Sequence, residues 1–248
     1  MTQPLHVGLL GAMREEIGSD KSHLEDLSCI DHGDLRIHKG SWDSTVRLSL
    51  AWSGWGKVSA ARAATRLLAS EPRIDLLVFT GVAGAADPGL RPWDVVLADA
   101  VVQHDMDARP LFPQFTLPAL NQSQLQPQPA WFDWAKIALQ AAYDAGDLDG
   151  FARPCSGLIA TGDRFIGDRA VLQTLRDALP GLRAVEMEGA AVAQVAEQEG
   201  IPWLVIRVIS DGADETAAQS FEDFVKRYEQ KAWQLIEALL QRCNKAPQ

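Results

Sequence analysis

Apolar residues in this chain of 248 residues come as short runs set between turn-forming residues, and the runs change period along the sequence. HVGLL, from His6 to Leu10, reads as a first strand. LRIHKG from Leu35 and TVRLSLAW from Thr45 alternate apolar and polar positions, as half-buried strands do, around an SWDS turn. Lys57 to Ala69 is rich in Ala and Leu and predicts a helix. LLVFTG, from Leu76 to Gly81, is continuously apolar, as expected of a strand buried on both faces. A long strand follows from Asp94 to His104. The Pro- and Gln-rich stretch from Ala108 to Pro129 predicts a loop longer than most connections, a length that points to function or partner contact. Beyond it come a helix (Trp131 to Ala145), the strand SGLIATG, a helix (Asp168 to Leu179), the short strand AVEM and a helix (Glu188 to Glu199). The strand WLVIRVIS, ending at Ser210, and a closing helix from Phe221 to Arg242 complete the chain. Strands alternating with helices predict an α/β fold with a mostly parallel central sheet and helices on both faces.

Charge narrows the choice of partners. The formal net charge is -10, whereas nucleic-acid binding needs a basic footprint and anionic membrane surfaces repel an acidic protein. Neither nucleic acid nor membrane is an expected partner. Three separated cysteines, Cys29, Cys155 and Cys243, form no CxxC pair, so no metal site and no disulfide framework is expected. MTQPLHVGLLGAM lacks the basic segment of a signal peptide, and no apolar stretch reaches membrane-spanning length. A reducing, cytoplasmic location is expected.

Candidate chemistry gathers where strands end. GVAGAADPG, from Gly81, has the wrong glycine spacing for a dinucleotide site and is followed by turn residues where a helix should start. It reads either as a tight turn or as a place where backbone closely approaches a ligand. Glu15 and Glu16 follow the first strand, Glu186 and Glu188 flank Met187, and Ser210 and Asp211 follow the last strand. Each carboxylate alone has a plain structural reading, as a helix-dipole partner, turn residue or cap. Arg207, inside an apolar strand, requires a carboxylate partner, because an unpaired buried charge is costly.

In order along the chain, GAMREEI, SGWGKVSAA, TGVAGA, GLIATGDRFI, VEMEGAA, RVISDGAD and SFEDF resemble the methylthioadenosine/S-adenosylhomocysteine nucleosidases of the purine nucleoside phosphorylase and uridine phosphorylase superfamily. VEMEGAA and RVISD mark the superfamily; GAMREEI and GDRFI point to the nucleosidase branch. The resemblance implies a single nucleoside phosphorylase-like domain over residues 1–248, with a mixed central sheet flanked by helices. It implies hydrolysis of the bond between adenine and ribose, with no cofactor and no metal. Asp211 would protonate the departing adenine, with Ser210 orienting it, and Glu16 would activate water. Glu188 would bind the ribose hydroxyls and Met187 would pack on the sugar. Phe165 would stack on adenine, the backbone of Ile166 would read its edge, and Arg207 would lie near the water. Met13, Trp55 and Phe221 would line the sugar and alkylthio region. The resemblance also implies a homodimer, which the apolar Leu111, Phe112 and Phe115 of the long loop would suit.

The sequence departs from the family pattern at Val82, where many members carry Ser, at Ala85, and at Trp55, larger than the usual aliphatic residue. The continuation of HDMDARPLFPQF after His104 and Asp105 also differs. These positions bear on the 5′-substituent. Three other readings stand beside the first: hydrolysis of a related adenine nucleoside such as aminofutalosine, phosphate-dependent cleavage, and nucleoside binding without turnover. Paired carboxylates at Glu15 and Glu16 favour water over a phosphate dianion; Arg14 is the cation that would oppose this.

Overall fold

The computed structural model describes residues 3–18, 23–70 and 72–247. Met1 and Thr2 of the N-terminal segment read above lie outside them. Nine strands alternate with six helices among these residues: β1 (Leu5–Gly11), β2 (Glu25–His32), β3 (Leu35–Ser41), β4 (Val46–Trp52), α1 (Lys57–Leu68), β5 (Leu76–Ala85), β6 (Val95–Gln103), α2 (Pro129–Ala145), β7 (Cys155–Thr161), α3 (Arg169–Ala178), β8 (Leu182–Glu186), α4 (Gly189–Glu199), β9 (Trp203–Asp211), α5 (Ala217–Tyr228) and α6 (Ala232–Leu240).

All nine strands belong to one mixed sheet in the order β2-β3-β4-β1-β5-β8-β7-β6-β9, and β9 also pairs with β5. That last pairing closes β5, β8, β7, β6 and β9 into a barrel, while β1, β4, β3 and β2 extend from it as an open wing. β5 is parallel to β1 and β9 but antiparallel to β8, and β6 is parallel to β7 but antiparallel to β9. The sheet is therefore mixed, as the resemblance implied, rather than mostly parallel as the alternation of elements predicted, and it is partly closed. Closure removes edges, and every residue of β5 and β9 is buried.

Three further differences have local causes. β2 is polar and almost wholly exposed, so no apolar period announces it; its pairing with β3 makes it a strand. The glycine stretch is not a tight turn, because β5 continues through it to Ala85. The expected closing helix is two helices. α5 buries Phe224, Val225 and Tyr228, whereas α6 packs on α2 and buries Leu235, Ile236, Leu239 and Leu240. One straight axis cannot serve both contacts, and the chain bends between Tyr228 and Ala232. No helix among the described residues is long and apolar enough to cross a membrane.

Candidate active site

The ends of β1, β5, β8 and β9 meet at one pocket. Met13, Glu16, Trp55, Val82, Phe165, Ile166, Met187, Glu188, Ser210, Asp211 and Phe221 all line it. Arg207 does not: its fully buried side chain lies behind the pocket floor.

Glu16 ends a short 3-10 turn after β1. Its carboxylate folds back to accept the backbone N–H groups of Ala12 (2.5 Å) and Met13 (2.9 Å), and it accepts a third from Val82 (3.0 Å). This geometry separates Glu16 from the half-buried Glu15. It also explains Gly81, where a Cβ would collide with Glu16 Oε1 and Arg207 Nη1. Burial raises the Glu16 carboxyl above its ordinary range, while Arg207 and the three N–H groups pull it back toward the ionised form.

Arg207 finds the carboxylate partner that its strand position demanded. Its Nε donates to Glu186 Oε2 (3.1 Å), its Nη2 donates to the same oxygen, and Glu188 Oε2 lies 3.9 Å away. The guanidinium lies over the Phe79 ring, 4.2 Å from its centroid. Glu186 also accepts from the Thr161 hydroxyl and from the first N–H groups of α4, those of Glu188 (3.2 Å) and Gly189 (2.7 Å). Glu186 thus holds Arg207 and caps α4, leaving Glu188 to face the pocket. Glu188 Oε1 accepts the Gly56 N–H at 2.8 Å. Its pKa is pushed up to about 8 by burial, with Glu186 and Glu16 adding to the rise and Arg207 opposing it.

Asp211 owes its position to an irregularity in β9. Ala83 pairs with Ile209 but Gly84 pairs with Asp211, so Ser210 is an extra residue in the β5–β9 ladder. Neighbouring side chains of a regular strand face opposite ways; a bulge re-aims them. Here Ser210 Oγ comes within 2.6 Å of Asp211 Oδ2 and 3.2 Å of the Ala83 carbonyl, and Ala213 N–H donates to Asp211 Oδ1 at 2.8 Å. Gly84 leaves room for this, since a Cβ there would lie 2.9 Å from the Ala213 Cβ and 3.1 Å from Asp211 Oδ1. Burial raises the Asp211 pKa; the Ser210 and Ala213 hydrogen bonds lower it, and Asp214 raises it further. The glycines at 81 and 84 therefore make room for two carboxyl groups, which neither reading of that stretch anticipated.

Val82 holds Glu16 and Gly84 approaches Asp211, so the two carboxyl groups lie against neighbouring positions of β5. Aromatic rings form the rim. Phe221 makes edge contacts with both Trp55 (centroids 6.1 Å apart) and Phe165 (6.0 Å). Arg164 is the one cation lining the pocket among the described residues. Arg14 instead lies over the Trp52 ring at 5.9 Å. Thr161 and the Gly56 N–H escaped the sequence reading, although both sit inside motifs it singled out, ATGDRFI and SGWGKV.

Known proteins share this arrangement of strands. A family model described as the phosphorylase superfamily matches residues 6–241. The 5′-methylthioadenosine/S-adenosylhomocysteine nucleosidase of Geobacillus thermodenitrificans is 36% identical over 237 residues, covering 95% of this chain and 96% of that protein. The structure of the Colwellia psychrerythraea nucleosidase in complex with adenine superposes with a TM-score of 0.87 at 32% identity, covering 97% of this chain and 96% of that one. Futalosine hydrolase of Helicobacter pylori gives 0.83 at 29% identity, covering 96% and 97%. With Glu16, Glu186, Glu188 and Asp211 converging at the strand ends of this fold, the chain belongs to the phosphorylase superfamily and, within it, to the 5′-methylthioadenosine/S-adenosylhomocysteine nucleosidases.

Proposed function

We propose that this protein hydrolyses the N-glycosidic bond of methylthioadenosine, S-adenosylhomocysteine or both, releasing adenine and the thioribose product. The observation that carries this reading is the pair Asp211 and Glu16: two buried carboxyl groups held against Gly84 and Val82 of one strand, both lining one pocket.

Adenine is a poor leaving group as an anion. Asp211, whose pKa burial raises, delivers a proton to the purine ring as the bond stretches, and the base departs neutral. Ser210 assists by turning its single hydroxyl proton. While that proton points to the Ala83 carbonyl, Ser210 Oγ accepts from neutral Asp211. Once Asp211 is ionised, the hydroxyl turns and donates to it. The ribose becomes cation-like, and the Glu16 carboxylate stabilises that charge. Glu16 takes a proton from water as oxygen bonds to the anomeric carbon. Arg207 acts from behind the floor, favouring ionised Glu16. Glu188 binds the ribose hydroxyls, Met187 packs on the sugar, Phe165 stacks on adenine and the backbone of Ile166 reads its edge. Met13, Trp55 and Phe221 line the sugar and alkylthio region, and Val82 lies beside Glu16 on the side of the attacking water. Phosphate is a poor substitute for water here, because Glu16, Glu186 and Glu188 line the same pocket and Arg14 stands away from it.

In this reading the whole chain acts as a single domain in a reducing cytoplasm. It works as a homodimer whose contact covers the exposed Val58 and Leu111; a light-scattering mass equal to one chain would count against this. Purified protein should release adenine from methylthioadenosine in phosphate-free buffer. A strict need for phosphate, with ribose phosphate as product, overturns hydrolysis. Turnover of aminofutalosine alone would keep the chemistry and change the 5′-group.

A further inference from the structure

The carboxyl groups of the pocket stand on strands, but its walls include two loops from distant parts of the chain. Residues 53–56 carry Trp55 and the Gly56 N–H that holds Glu188; residues 162–166 carry Arg164, Phe165 and Ile166. We propose that Asp105 is a positioning residue that clasps these two loops together and so sets how tightly the nucleoside binds. The role assigned to the pocket is that of the preceding section.

Each oxygen of Asp105 serves one loop. Oδ1 accepts from Lys57 Nζ at 2.6 Å, and Oδ2 accepts from the backbone N–H of Asp163 at 2.9 Å. The circuit closes because Asp163 Oδ1 accepts the backbone N–H of Lys57 at 2.7 Å. Gly56 makes the approach feasible: it adopts φ 90°, and a Cβ there would lie 3.0 Å from Asp163 Oδ1. The clasp is anchored to the wall behind it. Lys57 Nζ also donates to Gln103 Oε1 (3.2 Å), and the Gln103 amide donates to Gln194 (2.7 Å) on α4, the helix that follows Glu188.

The pair is better covered than an ordinary surface ion pair. The Lys57 and Asp105 side chains are 18% and 32% exposed, against 59% and 54% for Arg36 and Asp31. Solvent screening therefore weakens it less. Lys57 and the Asp163 N–H hold the Asp105 carboxyl below its ordinary range against the opposing effect of burial. Asp211 and Glu16 take no part in this circuit; their partners lie on β5, β9 and the turn after β1. The clasp accordingly governs the fit of the ligand and leaves the proton transfers intact.

The test pairs amide exchange with kinetics, using the full-length protein and its Asp105→Ala, Lys57→Met and double variants. Without ligand, Asp105→Ala should speed exchange at the amides of Gly56, Lys57 and Asp163 at least about tenfold, leaving those of β5 and β9 unchanged. With methylthioadenosine, KM should rise about tenfold and kcat should stay within about twofold. The double variant should be no worse than the worse single one, as expected of groups in one circuit. The proposal is overturned by unchanged exchange at those three amides, by kcat falling in step with kcat/KM, or by additive losses. A parent protein that cleaves none of the candidate nucleosides sinks the proposed function instead, while the exchange experiment still reads the clasp.

Discussion

Glu16 and Asp211 share a pocket and a chemical group but not an environment. Glu16 accepts three backbone N–H groups and has the Arg207 guanidinium at its back. Asp211 has one backbone N–H and a hydroxyl that can turn away from it, with Asp214 as its charged neighbour. Burial raises both pKa values, but Glu16 has the larger set of groups that favour its ionised form, the Arg207 cation among them. Two like groups placed in unlike surroundings divide into base and acid. The division also says which group tolerates replacement. Asn at 211 still accepts from Ala213, and its amide can donate to Ser210, whose own proton turns to Ala83. Gln at 16 has one acceptor oxygen where the carboxylate uses two.

Asp211→Asn should break the comparison most sharply. Losing the acid should lower kcat about 10³–10⁴-fold while nucleoside binding and melting temperature change little. Near-normal turnover would remove Asp211 from its role. Glu16→Gln should lower kcat about 10²–10³-fold and also lower the melting temperature, because one of the N–H groups of Ala12, Met13 and Val82 then faces an amide. A matching fold stability in the two variants would contradict the asymmetry. In the parent, activity should fall at low pH as Glu16 gains a proton and at high pH as Asp211 loses one. Both limbs should lie above the ordinary carboxylate range, and the acid limb should disappear from the residual activity of Glu16→Gln.

The smallest effect concerns Glu188, which shares the crowded end with Glu16. Its folded-state pKa of about 8 lies above the ordinary 4.5. The folded protein therefore retains a proton that the unfolded chain releases between those values, and stability falls as pH rises through that window. Glu188→Gln keeps an acceptor for Gly56 and removes this cost. It should raise stability at pH 7 by roughly 1–3 kcal/mol, a gain that shrinks toward pH 4.5 in thermal melts. An equal gain at both pH values would show that charge burial is not the cause.

Much of the wall construction was legible along the chain. The apolar run at Leu76 predicted a strand buried on both faces and that at Trp203 predicted a second strand, and the strand ends predicted where acids would collect. A charged Arg207 inside such a run demanded a carboxylate, and Glu186 supplies it. The polar β2 and the break before α6 were not legible, since strand pairing and helix docking produce them without a local period.

By itself the sequence determined which residue types arrive at the strand ends, because apolar period and turn chemistry are local properties. Only the tertiary structure decided what each acid does. Closure of β9 onto β5, with Ser210 as the extra residue, turned Asp211 toward its hydroxyl partner. The backbone N–H groups of two separate segments made Glu16 an acceptor-rich site. Asp105 was one residue of an unusual loop until folding brought Lys57 and Asp163 to its two oxygens. Burial and hydrogen-bond partners set the proton affinity of a carboxyl group, and both come from residues far away in sequence.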